Sequence, residues 1–166
     1  ILFKKLNNYN IAFINVCENE FSIATSNYGG SNSFDIVSIV EDIKKAKETA
    51  DYVFLIIHGG IEHYQYPTPR MKKTYRFFVD SGADVVINHH QHCYSGYEIY
   101  NDKPIVYGLG NFCFDWDGKR DSMWNEGYLL KLLFNDDNIE FSLIPYIQCN
   151  NTATISIIKD AKSLNA

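Results

Sequence analysis

No run of lysine or arginine marks this chain, and its 166 residues carry a formal net charge of −5. A chain of that sign, without a basic track, is a poor match for a phosphate backbone, so nucleic acid is set aside as a partner. No C-x-x-C pair occurs either: Cys17, Cys93, Cys113 and Cys149 are widely spaced. A chain long enough to bury a proper core needs no disulfide staples, so they read as separate and mostly buried thiols. Apolar runs stop at strand length, which argues against a transmembrane helix. Repeats and low-complexity tracts are missing too. There is no signal peptide, and the opening "ILFKKLNNYN" lacks an initiating methionine. It reads as a piece of something longer, whose localisation these residues leave open.

What is present is an ordinary globular composition, 46% hydrophobic and 21% charged, enriched in rings with 12 Tyr and 11 Phe. One domain accounts for it. Ile11 to Val16 reads as a strand, and "SNYGGSNS" as a loop. From Asp35, an expected N-cap, the apolar positions Ile36, Ile39, Val40, Ile43, Ala46 and Ala50 recur at helical spacing. "DYVFLII" suits a strand covered on both faces. A loop, "HGGIEHYQYPTP", leads to a helix that opens at Thr68-Pro69, with Met71, Tyr75, Phe78 and Val79 inward and Gly82 as its stop. The strand "ADVVI" follows. A hairpin around Asn101-Asp102 and another turning at Asn135 to Asn138 come next, and a polar tail after residue 148 forms a last strand, "ATISII", or frays. Alternating strands and helices followed by hairpins predict an α/β fold with a mixed sheet.

The chemistry gathers at strand ends. Tyr52–Ile57 runs into His58, and Asp84–Ile87 runs into "NHHQH", which holds three of the five histidines. Open α/β sheets bind ligands beyond the carboxyl ends of their strands. In an extended segment, side-chain alternation would send His90 and His92 one way and His89 the other. His58, His90 and His92 are therefore the candidate metal ligands, since neutral imidazoles on rigid strand ends suit Zn, Fe, Mn or Ni. His63 and His89 read as hydrogen-bonded structural histidines. A two-metal site needs a bridging carboxylate, yet no Asp fits at the end of an N-terminal strand, and neither Glu62 nor Asp115 sits in a D-x-H or G-D context. The residues thus leave two options: a mononuclear three-histidine site, or a site whose other half lies elsewhere.

"HGGIEHYQYPTPRM", "DSGADVVINHHQHC" and "GYEIYNDKPIVYGLGNFCFD", in that order, resemble the CapA family, named for a protein of poly-γ-glutamate capsule synthesis and built like calcineurin-type metallophosphoesterases. "CENEFSIA" resembles a subgroup pattern. The resemblance implies an α/β/β/α sandwich and a two-metal centre of divalent ions (Mn, Fe or Zn). By motif, His58 matches the family's lone metal histidine, and His90 and His92 its H-x-H element. The early Asp, the bridging G-D and the N-N-H-like element of the family's N-terminal half do not occur here, and Asn88 stands where Gly is usual in the wider superfamily. The chain therefore resembles a C-terminal half, over residues 1–148, expected to be inactive without its N-terminal half. An anionic polymer or phosphorylated substrate is implied, in the cell envelope or the cytoplasm.

Around the histidines, Glu62 is read either as a carboxylate hydrogen-bonded to a ligand histidine or as a solvated loop acid. Arg70, at the start of a helix, is read either as a clamp on phosphate or carboxylate or as an exposed first-turn residue. Asn111, in "YGLGNFCFD", is read either as a donor to an oxyanion or as an Asn satisfying its own turn. Two rivals stand beside the hydrolase: a three-histidine zinc hydrolase or lyase, and a non-catalytic module assisting export or assembly of an anionic surface polymer.

Overall fold

The computed structural model describes residues 1–18, 23–114, 116, 123–135, 138–149 and 154–159. Strands β1 (Leu2–Leu6) and β2 (Tyr9–Cys17) lead to helix α1 (Ile36–Lys47), then β3 (Tyr52–His58), α2 (Pro69–Asp80) and β4 (Val85–His89). The hairpin β5 (Tyr97–Tyr100) and β6 (Lys103–Val106) follows, and β7 (Glu126–Phe134), β8 (Ile139–Cys149) and β9 (Thr154–Ile157) complete the chain. A six-stranded sheet runs in the order β1-β2-β3-β4-β6-β5, and a three-stranded sheet in the order β7-β8-β9. In the larger sheet β2, β3, β4 and β6 are parallel neighbours, with antiparallel β1 and β5 on the edges. The mixed α/β architecture is the one the sequence predicts.

Both helices begin where their caps dictate. Asp35 accepts a hydrogen bond from the Ser38 amide at 2.8 Å, which also draws its carboxyl below the ordinary range. Thr68 accepts from the Met71 amide at 3.2 Å with Pro69 in the first turn. The apolar stripes then pack on one face of the large sheet: Ile39, Ile43, Met71, Tyr75 and Phe78 bury against Ile14, Val53, Leu55 and Val86. The opposite face carries Ile11, Tyr52, Phe54, Val85 and Ile87, which meet Ile139, Leu130, Leu132 and Phe134 of the small sheet. Alternation along β3 and β4 therefore separates a helix-facing core from a sheet-facing core. This gives helix, sheet and sheet layers, part of the sandwich the resemblance implies.

Three details depart from or sharpen the reading. Strand β1 has no signal in the sequence. Its residues are exposed, Lys4 and Lys5 interrupt any apolar period, and the turn at Asn7 (φ 54°) is what marks the hairpin. Asn101 and Asp102 both take left-handed φ, 49° and 60°, so the expected hairpin closes through a primed turn whose twist matches its strands. Of the cysteines, Cys93 is buried, Cys17 half-buried and Cys113 exposed, all free thiols. The expectation of mostly buried thiols thus fails at Cys113, which follows the exposed Phe112 in a surface loop.

Candidate metal centre

His58 and His89 are register partners at the ends of the parallel pair β3 and β4. Beyond His89 the chain stops being extended. His90 and His92 take positive φ, 106° and 56°, so the alternation expected for this segment does not operate and a tight curl takes its place. The curl brings the His90 and His92 rings to 5.7 Å, and the His90 ring lies 4.8 Å from that of His58. His89 instead lines a cavity between the two sheets. Burial, with His58 beside it, lowers the pKa of His89 and keeps its imidazole neutral.

Glu62 joins this group from the loop after β3. One ligand atom each of Glu62, His90 and His92 lie within 4.8 Å of one another. The sequence suggests a carboxylate behind a ligand histidine; the geometry puts Glu62 alongside the imidazoles. The His63 ring nitrogen lies 4.0 Å from the Glu62 carboxylate, and its ring is 6.2 Å from that of His92. The loop carrying these side chains is pinned from several directions. The Gly59 amide donates to His89 O at 3.0 Å and the His63 amide to Gln91 O at 2.7 Å, while the Gly60 amide donates to Glu18 Oε2 at 2.8 Å.

Asn111 does not face a vacant oxyanion position. Its Nδ2 donates to Trp124 O at 3.1 Å and to His92 O at 3.3 Å. Those two carbonyls orient the amide, so its Oδ1 is the atom 2.8 Å from His92 Nδ1. An amide oxygen can only accept, and His92 therefore carries its proton on Nδ1 and keeps the Nε2 lone pair for a cation. The Trp124 ring stacks on His92 at 4.5 Å and 19°, holding the imidazole plane from one side.

Beneath the histidines lies a buried amide hub. Asn88 is fully buried; the two hydrogens of its Nδ2 are shared among Gly59 O at 2.9 Å, Gln91 Oε1 at 3.0 Å and Tyr107 O at 3.1 Å. Its Oδ1 accepts from Tyr75 Oη at 2.7 Å. Burial pushes the Tyr75 hydroxyl far above its ordinary pKa, with the Glu18 charge adding to the effect, so it stays a donor. This explains an Asn before the histidines: its side chain ties three separate segments together.

The sequence offers no Asp at the end of an N-terminal strand, and the acidic residue that stands there is Glu18. It lies one residue beyond β2, and the pairing of Cys17 with His58 places it beside the end of β3. Its amide donates to His58 O at 2.9 Å. Arg70 sits in the first turn of α2 with an exposed side chain, 3.5 Å from the Glu18 carboxylate. Asp115 falls outside the described residues.

The chain matches the family model described as "Bacterial capsule synthesis protein PGA_cap" over residues 1–116. It is 36% identical over 107 residues to "Capsule biosynthesis protein CapA" of Bacillus anthracis, covering 61% of this chain and 26% of that protein. To "PGA biosynthesis protein CapA" of Bacillus subtilis (strain 168) it is 35% identical over 136 residues, covering 79% of this chain and 36% of the relative. An uncharacterized Sinorhizobium fredii protein, y4sH, is 30% identical over 87 residues, 51% of this chain and 19% of its own length. The chain thus spans about a third or less of the length of the curated relatives it matches.

Proposed function

This chain belongs to the bacterial capsule synthesis family PGA_cap, and on that footing we propose that it forms the histidine-bearing part of a metal-dependent hydrolase linked to capsule or surface-polymer biosynthesis. The observation that carries the reading is the cluster of Glu62, His90 and His92 with ligand atoms within 4.8 Å. Two imidazoles and a carboxylate form a donor set suited to Zn, Mn or Fe. His92 fits further because its Asn111 bond leaves Nε2 free to coordinate. In this reading His58, whose ring lies 4.8 Å from that of His90, would serve a second ion.

When bound, divalent ions there supply a more acidic water and polarise an oxygen of the scissile bond, as in phosphoester hydrolysis. The chain's own residues hold and orient. Asn111 sets the tautomer of His92, Trp124 excludes water from one face of its ring, and the Asn88 hub keeps the loop of Glu62 in register with the histidines. Arg70 reaches solvent and offers a guanidinium to an anionic substrate, either a phosphoester or a polymer carboxylate. The bridging carboxylate of a two-ion centre is assigned to a part of the protein outside the present sequence, so this chain alone is expected to bind metal and not to turn over. No helix among the described residues is long and apolar enough to cross a membrane.

Titrating the metal-free chain with Zn²⁺ and Mn²⁺ by calorimetry tests the reading. Saturable binding that is lost in His90→Ala and in His92→Ala is expected. Binding indifferent to both substitutions would remove the metal centre. Hydrolytic activity of the intact protein that survives His90→Ala would instead favour a non-catalytic role in polymer export or assembly.

A further inference from the structure

Among the described residues, the small sheet leaves one long edge without a strand partner. Strand β7 is bonded to β8 over its whole length, from Glu126 opposite Ile147 to Phe134 opposite Ile139. On its other side the described residues bond to it only near its start, through the bridge of Gly110 to Gly127 and the Tyr128 amide donating to Leu109 O at 2.8 Å. That bond sets the parity. The Tyr128 amide points away from β8, so the amides of Leu130, Leu132 and Phe134 do as well, and the side chains of these residues share one face. The hairpin end agrees. Asn135 and Asn138 exchange both backbone bonds, which makes the next pair, Phe134 and Ile139, a non-bonded one.

The face that Leu130 and Leu132 share looks across at Phe13, Phe54 and Ile56 of the large sheet, and a cavity of about 370 Å³ lies between them. Phe134 closes one end by stacking on Phe54 at 5.6 Å. Elsewhere Phe13, Ile56, Leu130 and Leu132 stay half-exposed. The space is a cleft open to solvent, and its apolar lining atoms lack the contacts that packing against a further layer would supply. A nine-residue edge strand with unpaired amides is, for its part, a template for another strand. One object answers both. A strand laid beside β7 bonds its free amides and carbonyls, and its inward side chains enter the cavity. A small apolar molecule would fill the space and leave the edge unpaired.

We propose that the open edge of β7 is a strand-acceptor site, occupied by an extended segment with alternating apolar side chains from the part of a CapA-like protein outside the matched stretch. The matched stretch accounts for 36% of the Bacillus subtilis relative, so such proteins carry ample chain to supply it. The proposal rests on family membership and on strand geometry. It is independent of the metal chemistry, and either can fail alone.

The test measures residue-resolved amide exchange by NMR on this chain mixed with synthetic peptides of about twelve residues, a strand with flanks, that tile the Bacillus subtilis relative outside its matched stretch. The expected result is a peptide that slows exchange at Leu130, Leu132 and Phe134 about tenfold or more while Leu129, Lys131 and Leu133, already bonded to β8, change little. Leu132→Lys, facing the cavity, should abolish the effect, and Leu133→Lys, on the outer face, should leave it intact. Slowing without the alternation, or in no peptide, overturns the proposal. So does slowing that grows with the concentration of this chain alone, which would make the occupant a second copy.

Discussion

The side chain of Asn111 decides which nitrogen of His92 holds its proton, through a contact of 2.8 Å between Oδ1 and Nδ1. Two backbone carbonyls, Trp124 O and His92 O, hold the amide in that orientation. A residue that the sequence suggests for substrate contact thus acts on the imidazole. Nitrogen chemical shifts of the His92 ring should report the Nδ1-protonated tautomer in the metal-free chain. Asn111→Leu, which removes the acceptor, should mix the tautomers and weaken Zn²⁺ binding by roughly 10–100-fold, whereas Asn111→Asp, which retains it, should preserve the tautomer. Finding the proton on Nε2 in the unaltered protein would contradict the assignment.

Asn88→Ala removes the centre of a buried polar hub and strands the Tyr75 hydroxyl and the Gly59 carbonyl. Leaving buried groups of this kind unsatisfied should cost about 3 kcal/mol in urea unfolding. A loss below about 1 kcal/mol, the scale of one ordinary hydrogen bond, would mean that solvent or neighbours replace its bonds readily.

Glu98 gives a pH dependence with a definite sign. Arg76 donates to its carboxylate through Nε at 2.9 Å, Tyr107 donates to it as well, and these bonds hold its pKa below the ordinary glutamate value. Its contribution to stability is therefore full above the unfolded-state pKa, near 4.3 for a free glutamate, and is lost as pH falls through the lowered folded value. The stability difference between the protein and Glu98→Gln should be constant around neutrality and shrink in acid. A difference that grows on acidification would refute the pairing.

Gly110 has φ +81°, and a Cβ built there would lie 2.4 Å from Glu126 O and 2.9 Å from Gly127 Cα. Both are backbone atoms and cannot swing aside. Gly110→Ala should force the bridge to β7 apart and destabilise the fold by about 2 kcal/mol or more, visible as a lowered melting temperature. An unchanged melting temperature would show that the bridge is dispensable.

Much of the fold was legible because its signals are local. Asp35 and Thr68 announce helix starts through side-chain oxygens that cap nearby amides, and Asn101-Asp102 announces a primed turn through tolerance of left-handed φ. The continuous apolar run of β3 marks a strand covered twice, which the helix-facing and sheet-facing cores show it to be. Strand β1 carried no such signal. Its residues are exposed, and it exists because its backbone pairs with β2. Glu18 was hidden for a similar reason, since what makes it notable is the neighbour across a parallel pairing.

The amino-acid sequence by itself determined the alternation of helices and strands, the caps that start the helices, and the histidines that stand at strand ends, because each follows from side-chain size and polarity within a few residues. The tertiary structure alone decided that His90 and His92 meet through a left-handed curl, that Glu62 joins them, and that Asn111, 19 residues away in sequence, orients His92. It also decided that β7 faces the large sheet across a gap. Those outcomes depend on bonds between segments distant in the chain, whose energies exist only once the backbone has brought them together.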